Sequence, residues 1–129
     1  MTRGKKGHIK GLGALEADVM DILWRCAEPQ SVRDILDSLS NRNQTFAYTT
    51  VLTVMTHLYE KGWVLRDKHG RGFLYRPSRS REEATSRALR EILDASADSA
   101  AVLLHLARNV SATESEAIRL GLSSGDSSK

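Results

Sequence analysis

A mainly α-helical fold carrying one small β-hairpin is what three features of this 129-residue sequence predict. Apolar residues recur at helical spacing in several separate stretches. Pro29, Gly62 and Ser/Asn-rich runs lie between those stretches, where helices begin and end. Residues 63–76 hold instead two short β-prone runs around a glycine-containing turn.

The first helix is expected over residues 14–26, where Leu15, Val19, Ile22, Leu23 and Cys26 make one apolar stripe. Pro29 cannot continue its hydrogen-bond ladder. Ser31 then stands as an N-cap with Asp34 three residues on, a capping-box arrangement. Val32, Ile35, Leu36 and Leu39 supply the stripe of a short second helix. "SNRNQT" (40–45) is turn chemistry.

The third helix is "YTTVLTVMTHLYEKGW", residues 48–63, ending at Gly62 as C-cap. At about 100° per residue, Val51, Leu52, Val54, Met55, Leu58 and Tyr59 fall on one apolar arc. Thr49, Thr50, Thr53, Thr56, His57, Glu60 and Lys61 fill the rest. Threonine is a mediocre helix former, so four of them on one side need a reason.

"WVLRD" and "FLYR" read as strands around the turn "KHGRG" (68–72), and Pro77 marks the exit. Beyond it, Ser80 caps a helix with Glu82 and Glu83 in its first turn and Leu89, Ile92 and Leu93 as its stripe. Residues 98–109 make a short, very apolar helix. Ser111 with Glu114 opens a last helix that Gly121 is expected to end. The expected organisation is a flexible basic arm (1–11), a first domain (12–79), a helical segment (80–122) and a disordered tail (123–129).

Composition narrows the function. Hydrophobic content is 40% and charged content 27%, fitting a folded soluble chain. No apolar run reaches the roughly 18 residues of a membrane span, and the basic amino terminus lacks an apolar h-region. Together with a lone cysteine, these features place the chain in the cytoplasm. Cys26 excludes a disulfide framework and reads as a packed structural thiol. His8, His57, His69 and His105 show no metal-ligand spacing, so no metal or other cofactor is expected. No nucleophile elbow, zinc-protease motif or phosphate loop is present, so no catalytic residue and no enzyme is expected.

Charge is uneven along the chain. Residues 1–81 carry 14 Lys/Arg against 8 Asp/Glu, whereas residues 82–129 carry 5 against 8. A basic first part joined to an acidic second part suggests that the first part meets a polyanion. Three helices followed by a hairpin is the order of a winged helix-turn-helix, whose third helix enters the DNA major groove. That answers the threonine question: each offers a methyl to a thymine and a hydroxyl to phosphate or base edges. The expected DNA-binding residues are Thr49, Thr50, Thr53, Thr56, His57 and Lys61, with Lys68 and Arg71 of the wing on phosphates. Arg3, Lys5, Lys6 and Lys10 would add unspecific affinity. A winged helix used for protein contact is the competing class, and a ligand- or redox-sensing regulator is another.

Residues 82–122 are too few to bury a core alone. Leu89, Ile92, Leu93, Val102, Leu103, Leu104, Leu106 and Ile118 must cover the first domain or a second copy. Two reading heads on a two-fold site favour the second copy.

The ordered set "LGALEADVMDILW", "SVRDILDSLS", "YTTVLTVMTHLYEKGWV" and "GRGFLYRP" resembles the BlaI/MecI (penicillinase repressor) family of bacterial transcriptional regulators over about residues 12–122. The resemblance implies a homodimeric repressor on a palindromic double-stranded DNA operator, joined by its carboxy-terminal helices. It also implies release by cleavage in that segment when a membrane sensor-protease detects a β-lactam. The position matching the Asn-Phe cleavage dipeptide of staphylococcal-type members is here His105-Leu106. Many relatives have arginine where His57 stands; a histidine is shorter and cannot grip guanine bidentately. The tail "SSGDSSK" lacks the cysteines of the copper-responsive CopY type.

Overall fold

A computed structural model describes Ile9 and residues 11–127. The element order is α1 (Ala14–Arg25), α2 (Val32–Asn41), α3 (Tyr48–Glu60), β1 (Val64–His69), β2 (Gly72–Pro77), α4 (Arg81–Ala95), α5 (Ser99–Ala107) and α6 (Ala112–Ser127). The chain divides into two compact units, residues 1–88 and 89–129.

Local chemistry sets the helix ends of the first unit. Ser31 Oγ accepts from the Asp34 N–H at 3.0 Å and the Asp34 carboxylate accepts from the Ser31 N–H at 2.9 Å, closing the expected capping box. At the end of α3 the Gly62 N–H donates to the Tyr59 carbonyl and the Trp63 N–H to the Leu58 carbonyl. With Gly62 at φ +85°, this is a Schellman motif. Cys26 falls just outside α1, as its C-cap, and is half-buried against the core.

Val19, Met20, Ile22 and Leu23 of α1 meet Val32, Ile35 and Leu39 of α2 and Val51, Met55 and Leu58 of α3. Val64 and Tyr75 of the hairpin complete this core. The apolar arc of α3 is therefore narrower than periodicity implied. Leu52 and Tyr59 are 39% and 40% exposed, because α3 packs along its 51–55–58 line and its flanks face outward.

The hairpin is also longer than expected. The antiparallel register runs from Val64↔Pro77 to His69↔Gly72, leaving Gly70 and Arg71 as a two-residue turn. Gly70 at φ +62° occupies the first turn position, where a tight hairpin tolerates little else. A third, single-residue strand joins the sheet: Gln30 and Tyr75 exchange both backbone hydrogen bonds at 2.8 Å. The Pro29 break thus also anchors the wing to the helix-turn-helix.

Tyr75 is fully buried, and its hydroxyl has no partner among the described residues. A buried unpaired hydroxyl carries an uncompensated desolvation cost. Tyr75→Phe is accordingly expected to raise stability by about 1 kcal/mol in denaturant titration. A loss of similar size would show that the hydroxyl is paired in solution.

The first unit takes in the start of α4, where Ala84 is buried and Ser80 Oγ accepts from the Glu83 N–H. In the second unit, Asp98 caps α5, and Ser111 with Glu114 closes a capping box at the start of α6. Gly121 does not end α6, which continues to Ser127, so residues 123–127 are helical rather than a disordered tail. A glycine weakens a helix interior but does not stop one without a left-handed turn or a following proline, and this segment has neither. No residue of α5 is buried, and Leu89, Ile92, Val102, Leu103, Leu104, Leu106, Ile118, Leu120 and Leu122 are all 43–68% exposed.

Candidate nucleic-acid interface

The outer side of α3 is set by what its inner side buries. With Val51, Met55 and Leu58 inward, Thr49, Thr50, Thr53 and His57 are exposed and Thr56 is half-buried. Thr53 Oγ1 donates to the Thr49 carbonyl at 2.9 Å, which uses its hydroxyl proton and leaves the oxygen able to accept. Among the described residues no side chain caps α3 at Ala47, and the Thr50 N–H of its first turn donates to the Ala47 carbonyl at 3.1 Å.

Lys61 is not free. Its ammonium donates to both Glu16 carboxylate oxygens, at 2.8 and 3.0 Å, and to the Gly11 carbonyl at 3.3 Å. Burial pushes the Glu16 carboxyl up, but the Gly13 N–H and Lys61 outweigh this and hold it below its ordinary value. Lys61 thus ties the end of α3 to the start of α1, which no local pattern announces.

Asp21 takes three more cations out of circulation. Arg81, Arg42 and Arg25 reach its carboxylate at 2.6, 2.8 and 3.0 Å. Burial would raise this carboxyl, but the three guanidinium hydrogen bonds bring it down to about 2. Arg79 stands 3.7 Å from Glu83. Among the described residues of the basic first part, Arg33, Arg66, Lys68, Arg71 and Arg76 have no carboxylate partner.

All five lie beside α3 or in the wing, Arg76 being on β2. Arg33 of α2 sits 5.8 Å from the ring of Tyr48, the first residue of α3. Arg66 lies against Tyr59 in the last turn of α3. Lys68 rides on Phe73, and Arg71 is exposed in the wing turn with no hydrogen bond or ion pair among the described residues. Arg33, Arg66 and the exposed Leu52 escaped the sequence reading; a cation on an amphipathic helix or a strand looks like ordinary solvated surface. The basic arm residues Arg3, Lys5, Lys6 and Lys10 lie outside the described residues.

Leu89, Ile92 and Leu93 are on α4, Val102, Leu103 and Leu106 on α5, and Ile118 on α6; only Leu93 is half-buried. The His105–Leu106 bond lies in the last turn of α5, where the His105 carbonyl accepts from Asn109 Nδ2 at 3.1 Å. Among the described residues no group of His, Cys, Asp and Glu could hold a metal ion, and no helix is long and apolar enough to cross a membrane.

A three-helix head with an exposed threonine face, a wing and, on either flank, cations without a carboxylate partner among the described residues defines a winged-helix transcriptional regulator. Residues 12–123 match the profile of the family described as penicillinase repressor. The chain is 40% identical over 114 residues to the transcriptional regulator BlaI of two Mycobacterium tuberculosis strains, covering 86% of this chain and 82% of each relative. It belongs to the penicillinase repressor family of transcriptional regulators and is not an enzyme. The solution structure of the DNA-binding domain of the repressor BlaI superposes with a TM-score of 0.50 at 24% identity, covering 60% of this chain and 93% of that domain. The complex structure of hsRosR-SG has a TM-score of 0.51 at 16% identity, covering 80% and 95%. Both similarities bear on the fold alone.

Proposed function

We propose that this chain is a cytoplasmic, homodimeric repressor that occupies a palindromic operator. The observation that carries this is the outward threonine face of α3, exposed between cations that no carboxylate among the described residues neutralises. Thr49, Thr50, Thr53, Thr56 and His57 read base edges in the major groove. Lys68 and Arg71 of the wing and Arg33 beside the amino end of α3 take phosphates, positioning the head without specifying sequence. Lys61 acts instead as a structural tie to Glu16. The uncovered leucines of α4, α5 and α6 pair with those of a second copy, because apolar residues left 43–68% exposed on three helices favour burial against a matching surface. Occupancy of the operator excludes polymerase. Release by a membrane sensor-protease requires the last turn of α5 to unwind and present His105–Leu106.

Affinity for duplex DNA is expected to fall linearly on a log–log plot against salt, since each neutralised phosphate releases counterions. Thr53→Ala is expected to lower the ratio of operator to random-sequence affinity by about 1 kcal/mol, because a threonine cannot grip a base bidentately. Binding that ignores salt would replace the DNA reading with a protein-contact one. An unchanged affinity ratio would remove Thr53 from the reading face.

A further inference from the structure

A column of alternating aromatic and cationic side chains runs from α3 into the wing. The Arg66 guanidinium carbon lies 3.9 Å from the Tyr59 ring centre and 4.1 Å from that of Phe73. The Lys68 ammonium lies 5.6 Å from the same Phe73 ring. The pairings Arg66↔Tyr75 and Lys68↔Phe73 put all four residues on the face of the hairpin that carries Tyr75 into the core. Tyr59, 40% exposed and outside the core, has Arg66 as its covering.

We propose that Arg66, clamped between Tyr59 and Phe73, is a positioning residue that holds the wing at a fixed angle to α3. The proposal rests on the DNA-binding reading above and names how its two contact surfaces are kept in register. The base of the hairpin is held by Val64, Tyr75 and the Gln30 bridge. Beyond that base a two-stranded ribbon has little rigidity of its own. From Arg66 to the turn is about 14 Å of strand, so a pivot of about 15° carries Arg71 about 4 Å, more than a hydrogen bond to phosphate tolerates. Arg66 sits where that pivot would occur. Its planar guanidinium lies over the ring of Tyr59 on α3 and over that of Phe73 on the wing, and so couples the two more stiffly than a flexible point charge could.

The test compares the full-length parent with Tyr59→Leu, which removes one jaw without changing charge, and with Arg66→Met, which keeps the apolar stem. Amide residual dipolar couplings of the free protein report the orientation of residues 64–77 against α1–α3. Titration of a random-sequence DNA duplex at several salt concentrations reports phosphate contacts. In both variants the wing couplings are expected to depart from the orientation of the helices, and the salt slope to fall by about one to two units as Lys68 and Arg71 lose their phosphates. A lowered melting temperature with couplings and slope unchanged would make the column mere packing and overturn the proposal. So would a slope lowered in Arg66→Met alone, which would make Arg66 itself a phosphate contact. If the parent shows no salt-dependent duplex binding, the DNA reading fails while the couplings still decide the clamp.

Discussion

Leu103→Asp is expected to leave the chain monomeric in sedimentation and to weaken its hold on a palindromic site by about 10²–10⁴-fold. Leu103 is 45% exposed in α5, a helix with no buried residue. A carboxylate placed in an apolar interface between copies would have neither water nor a partner charge. With two linked heads, the second binding event proceeds at high effective concentration; a lone head loses that gain but keeps its contacts. Affinity for an isolated half-site should therefore be unchanged. A parent that sediments as a monomer, or a variant that stays dimeric, would refute the assignment of these helices to self-association.

The second large effect concerns Asp21, where three arginines converge from α1, the end of α2 and the start of α4. Its carboxyl is held at about 2, below the ordinary 3.8, so the folded state favours the ionised form. The stabilisation is complete above about pH 4 and is lost as pH falls towards 2. With the Asp21 side chain 24% exposed and partly screened, the gain is roughly 1–2 kcal/mol. Asp21→Asn is expected to lower the melting temperature near neutrality by about 4–8 °C for each kcal/mol lost. Below pH 3 the gap between parent and variant should narrow. A gap independent of pH would mean that shape, not charge, is what Asp21 supplies.

Much of the first unit was legible because its signals are local. The capping box at Ser31, the left-handed Gly62 and the i, i+3, i+4 stripes of α1 and α2 act within one or two turns. The threonine face was legible for the same reason, periodicity alone opposing it to Val51, Met55 and Leu58. Periodicity failed at Leu52 and Tyr59, since it finds an apolar arc without saying how much of that arc a neighbour covers. Cap chemistry misleads at Gly121, because a glycine permits a helix end without requiring one.

By itself, then, the chain's order of residues determined three helices and a hairpin, and which side of the third helix stays polar. Those properties arise from contacts between residues a few positions apart, which sequence spacing encodes directly. Only the tertiary structure decided which of the basic residues are available to a polyanion. Lys61 meets Glu16 across 45 positions, and Arg42 and Arg81 meet Asp21 across 21 and 60. Charge neutralisation acts over a few ångströms of space, and no spacing along the chain reports which carboxylate folding brings there.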